Sequence, residues 1–128
     1  IHLGDKRLPA PWAPIHQDRN PSPVWRGIVY VNDADLASDA GPWRLTLRVM
    51  QSNFWGSRIW VNGRPLPDLL PLEDFSKSWV SHTVAVPADL LRPGPNEIRI
   101  TLAHATPLIQ AKGFGYDKLQ IKDITLWR

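Results

Sequence analysis

The chain has 128 residues, 43% of them hydrophobic and 21% charged, with 13 prolines, 7 tryptophans and no cysteine. That length argues for one domain able to bury a core without a metal or a disulfide, and the missing cysteines exclude a disulfide framework and thiolate chemistry. The formal charge of +3 and the isoelectric point near 9.6 reflect a modest, scattered Lys/Arg excess that argues against a nucleic-acid partner, and no apolar stretch approaches the ~18 residues of a membrane-inserted helix.

Residues 1–24 carry Pro9, Pro11, Pro14, Pro21 and Pro23. Prolines at this density break helices and favour extended backbone. Trp12 and Ile15 give the segment something to lay against a sheet edge. We expect an extended N-terminal segment, 1–24, packed on a domain of 25–128. The chain opens on Ile1 with no signal-peptide pattern, as expected of a trimmed or processed piece.

Residues 27–32 (GIVYVN) form a β-branched and aromatic run, and 32–42 read as a polar loop. Residues 43–50 alternate, with Leu45, Leu47 and Val49 on one face and Arg44, Thr46 and Arg48 on the other; period two is the mark of a half-buried strand. Residues 58–61 repeat the pattern, with Trp60 set opposite Ile59 and Val61. Asn62-Gly63 follows, a pair suited to a type I′ turn because both residues tolerate positive φ. Residues 64–77, with Pro65, Pro67 and Pro71, read as a loop. A strand is expected near 81–86 and one helical turn over 87–91, with Pro93-Gly94 closing it. Residues 96–102 alternate again, Ile98, Ile100 and Leu102 inward. In the closing run, 116–127, Leu119 and Ile121 share one parity and Ile124 and Leu126 the other. A bulge near Lys122-Asp123 reconciles them. Six or seven short strands without helical periodicity predict an all-β, antiparallel sandwich or barrel.

Three segments, in order, resemble galactose-binding-like β-sandwich domains. The run 58–66 (RIWVNGRPL) resembles the strand ending in V-N-G of the sugar-binding domains of β-galactosidase-type glycoside hydrolases. The run 84–100 contains an L-x-x-G-x-N-like passage between two strands, and 116–126 looks like the closing strand of such domains, including C-terminal modules of polysaccharide lyases. The resemblance covers 43–127 and scarcely touches 1–42. It implies a jelly-roll sandwich, an accessory role beside a catalytic domain in a larger chain, an extracellular or periplasmic setting, and in many members a structural calcium. Gly63, Gly94 and Asn96 are read as turn-shaping residues.

Catalytic patterns are missing from the sequence: no G-x-S-x-G, H-E-x-x-H or P-loop. His2, His16, His82 and His104 show no zinc-ligand spacing. Glu73 and Asp74 could in principle pair as glycosidase carboxylates, whereas Glu97 is expected to point outward from a strand. The chain is therefore read as no enzyme. Asp33, Asp35 and Asp39 cluster oxygen ligands, yet the run departs from the EF-hand pattern and reads as a solvated loop with Asx turns, so no cofactor is assigned.

Sugars stack their C–H faces on aromatic rings while neighbouring polar groups take the hydroxyls. Asn53, Trp55 and Arg58 have that composition, as do Trp79 and the loop holding Tyr116 and Asp117; these six are the candidate ligand-binding residues. Most of the tryptophans are expected in the core, where large aromatics concentrate. The reading is a non-catalytic carbohydrate-binding or accessory module with a glycan or polysaccharide and an adjacent domain as partners. The alternative is a structural or protein-interaction domain with no glycan ligand. Single-stranded nucleic acid, suggested by arginines and aromatics, is disfavoured by the interleaved charges.

Overall fold

A computed structural model describes residues 1–4, 22–37, 39, 41–50, 56–71, 78–104 and 119–128. Through them run β1 (His2–Leu3), β2 (Val24–Val31), β3 (Trp43–Met50), β4 (Arg58–Val61), β5 (Arg64–Leu69), β6 (Val80–Val86), β7 (Gly94–Thr101) and β8 (Leu119–Trp127). The strands form two four-stranded sheets, β1-β8-β3-β6 and β2-β7-β4-β5, hereafter the first and second sheet. Every pairing is antiparallel. The expected all-β, sandwich-type architecture is what the chain adopts.

The alternation in β3 shows why. Trp43, Leu45, Leu47 and Val49 are buried, and Arg44, Thr46, Arg48 and Met50 face away. From the second sheet, Ile59, Val61, Ile98 and Ile100 are wholly buried in the same core. A fully buried side chain of this kind contributes roughly 1.5–3 kcal/mol, so period two in three strands suffices to draw the sheets together.

Asn62 and Gly63 both hold positive φ, 47° and 83°, and join β4 to β5 as a tight hairpin in which Val61 pairs with Arg64. The strand-parity change in β8 is a bulge. Thr46 pairs with Thr125 but Arg48 with Lys122, so β8 carries one extra residue there, and Asp123 takes φ 51°. The helical turn after β6 is a 3₁₀ turn at Ala88–Leu90.

Two readings need correction. Residues 64–69, expected as loop, are strand β5 despite Pro65 and Pro67. β5 lies at the edge of the second sheet, where a missing N–H leaves no gap in a ladder on the open side. Residues 33–37, expected as polar loop, form a short helix, α1 (Asp33–Ala37). Asn32 caps it, its Oδ1 accepting from Asp35 N at 2.7 Å, so the Asx chemistry starts a helix here.

His2–Leu3 pair with Gln120 and Leu119, and Leu3 is wholly buried. The first residues of the chain therefore belong to the first sheet. The proline-rich stretch proper, 5–21, lies outside the described residues.

Candidate functional site

Outward positions of β3, β6 and β8 build one face of the first sheet. Register places Thr46 between Thr83 of β6 and Thr125 of β8, and Arg48 between Ser81 and Lys122. Thr46 and Thr83 hydroxyls lie 2.8 Å apart, a cross-strand Thr pair of the kind that supports antiparallel sheets. The Trp127 Nε1–H donates to Thr46 Oγ1 at 2.9 Å. Thr46 thus accepts from the indole, and either hydroxyl can be the donor in the Thr46–Thr83 pair. Trp127 remains 43% exposed. The ring is thus both tethered and open, outside the core.

The opposite end of the face holds Trp79, just before β6. The Lys122 ammonium sits 4.2 Å from its ring centroid, a cation–π distance, reaching across β3 from β8. Arg44 lies near Trp127, 6.0 Å from its centroid. The bulge turns Asp123 toward Arg48, with 3.9 Å between carboxylate and guanidinium. From the level of Arg44 to that of Met50 the face runs roughly 20 Å at about 3.3 Å per residue. Rings stand near both ends and hydroxyls between them.

The remaining described tryptophans have other work. Trp43 is 6% exposed and is covered by the Arg128 guanidinium at 5.1 Å. Arg128 also donates to the carbonyls of Gly41 and Asp35, tying the end of β8 to the α1–β3 connection. Trp60 faces outward, as its parity implied, but on the second sheet. Its Nε1 donates to Thr101 Oγ1 at 2.9 Å, and Arg99 stacks 4.4 Å from its ring centroid. Trp25 folds over Gly27. A β-carbon on Gly27 would lie 2.4 Å from the ring, so the glycine is what lets the indole sit there. Around it lies a cleft of about 310 Å³ that includes Val29, Ile124, Lys122 and Asp123.

Of the six residues singled out from sequence, Asn53, Trp55, Tyr116 and Asp117 lie outside the described residues, as do Glu73 and Asp74. Arg58 and Trp79 are described, and the fold does not bring them together. Arg58 is on the outer side of β4 in the second sheet, paired with Thr101 and Leu69, while Trp79 belongs to the outer face of the first. Sequence reasoning missed Trp127, Thr46 and Thr83. The alternation already put Thr46 on the polar side of its strand; the missing information was that β6 and β8 flank β3.

Asp33 and Asp35 belong to the first turn of α1, where carboxylates complement the helix dipole. Among the described residues no three His, Asp or Glu side chains gather as a cation site requires. Glu97 points outward as expected and pairs with Arg26 at 3.6 Å. His82 turns toward the inside of β6, its Nε2 buried without a hydrogen bond. Burial lowers its pKa below 6.5, and nearby Asp68 works against that shift.

Compared with family models, with characterised proteins and with solved structures, the chain matches none.

Proposed function

We propose that this chain is a galactose-binding-like domain of jelly-roll type, acting as a non-catalytic carbohydrate-binding module of a larger carbohydrate-active protein. The strand order supports the fold reading: the described residues form eight strands in two sheets of four, and among these strands successive ones lie in opposite sheets except β4 and β5, as in a double-sheet jelly roll. The V-N-G run forms the β4–β5 hairpin, and the L-x-x-G-x-N-like run forms the turn into β7, consistent with the segments that carry the resemblance.

The observation that carries the binding role is Trp127, held by Thr46 and still 43% exposed on an open sheet face. A pyranose would lay its C–H face on the indole, and the Thr83, Thr125 and Ser81 hydroxyls would exchange hydrogen bonds with sugar hydroxyls. Single-site affinity of this kind is weak and rises when the module is tethered beside an enzyme that works on the same polymer.

The test is a screen of the purified chain on immobilised polysaccharides and a glycan array, with tryptophan fluorescence read for each hit. Binding that disappears in Trp127→Ala, with the fold retained by circular dichroism, supports the module. Binding that survives both Trp127→Ala and Trp79→Ala removes this face from the proposal.

A second reading rests on a different observation. Ile28 and Tyr30 are 56% and 80% exposed on β2, an edge strand of the second sheet. Exposed apolar side chains along an edge suit packing against a neighbouring domain. A blank glycan screen would favour that structural role.

A further inference from the structure

We infer that the ligand of the first sheet's outer face is an anionic polysaccharide, one that carries carboxylates or sulfates along its chain; this rests on the glycan-binding reading above. The scattered cations of the sequence are gathered by strand pairing. Arg44 and Arg48 are outward positions of β3, and Lys122 is the outward residue of β8 paired with Arg48. Asp123 is the carboxylate near them, 3.9 Å from Arg48. Among the described residues this face thus holds three positive charges against one negative. No described carboxylate pairs with Arg44 or Lys122, which instead lie against Trp127 and Trp79.

The arrangement couples a ring with a cation at each end. At one end Arg44 flanks Trp127, which is tethered through Thr46; at the other, Lys122 lies on Trp79. A neutral glycan would use the rings and hydroxyls alone. A polyanion uses the cations as well: its pyranose faces meet the indoles, and its acidic substituents meet the guanidinium and ammonium groups as charge-assisted hydrogen bonds. Lys122 can make that exchange because its stem is flexible and its ammonium a compact point charge. Comparable pairings occur on the second sheet's outer face, where Arg26 has Glu97 beside it and Arg99 is stacked on Trp60; the first face is set apart by the tethered and exposed Trp127 beside its cations.

The experiment is affinity electrophoresis of the full chain in gels containing polygalacturonate, its methyl ester, alginate, chondroitin sulfate or a neutral xylan, at low and high salt. A single-stranded oligonucleotide serves as a further competitor. The expected result is retardation by at least one acidic polymer and not by its neutral counterpart, reduced by salt. Lys122→Gln and Arg44→Gln, both at surface positions, should each weaken it about two- to fivefold with melting unchanged. Equal retardation by polygalacturonate and its ester, abolished in Trp127→Ala, would overturn the anionic ligand and leave the glycan reading standing. Retardation by xylan alone has the same meaning. No retardation by any polymer overturns both. Competition by the oligonucleotide as strong as by the acidic glycans, with the same salt dependence, marks a general polyanion surface and overturns the glycan assignment.

Discussion

Asn62 donates from Nδ2 to Asn96 Oδ1 at 2.8 Å, joining the β4–β5 turn to the start of β7 through two amides. Asn62 also donates to Leu90 O and accepts from Glu97 N. Asn96 is wholly buried; its Nδ2 donates to the carbonyls of Arg92 and Gly94, and its Oδ1 accepts from Arg92 N. Asn96→Ala orphans several of these groups at once. A buried unsatisfied polar group costs roughly 1–3 kcal/mol, so a loss of about 3 kcal/mol is expected in urea unfolding. Asn96→Asp should also destabilise, because a carboxylate cannot donate to the two carbonyls. A loss well under 1 kcal/mol in both variants would show the turn to be held by backbone alone.

Gly27→Ala tests the Trp25 placement. The added methyl would overlap the indole, and overpacking of this kind costs typically 1–3 kcal/mol. The ring should swing out of the cleft, giving a red-shifted emission relative to the parent and a lower melting temperature. An unchanged spectrum would mean that the strand accommodates the methyl without moving the ring.

Stability should depend on pH through His82. Its folded pKa lies below 6.5 because burial disfavours the charged ring. The unfolded chain then binds the proton more readily, so stability rises with pH across that interval. His82 contributes its stability above the ordinary pKa of 6.5, and the contribution is lost as pH falls through that value toward the depressed one. Urea unfolding at pH 8, 6.5 and 5 should show the decline, and His82→Leu should flatten it. Leucine also removes the unpaired Nε2, so stability at pH 8 should not fall by more than about 1 kcal/mol. An equal decline in the variant would assign the pH dependence to other groups.

Thr46→Val separates holding the platform from holding the fold. It removes the acceptor for Trp127 and the partner of Thr83 while keeping a β-branched shape. Both groups are exposed and can turn to water, so the stability cost should stay below about 1 kcal/mol. Glycan retention should weaken nevertheless, because an untethered ring loses conformational freedom on binding. Undiminished retention would show that the tether plays no part.

Much of the fold was legible wherever local chemistry had one solution. Period two placed β3 at 43–50 and β4 at 58–61, Asn62-Gly63 marked the hairpin, and the parity change in 119–126 marked the bulge at Lys122-Asp123. β5 was illegible because two prolines in six residues read as loop, and only edge position in the sheet makes them tolerable. α1 was illegible because a five-residue helix is too short for periodicity to show.

The candidate site divides along the same line. The sequence by itself determined that Arg44, Thr46 and Arg48 share one side of a strand, since alternation of side chains is a property of a single extended backbone. It also determined that Trp60 opposes Ile59 and Val61. Only the tertiary structure decided that Trp127, Thr83 and Lys122 join the first set while Arg58 and Trp60 face the other way. Strand neighbours are chosen by hydrogen-bond pairing and core packing between segments as distant as Thr46 and Trp127, and no local pattern carries that choice.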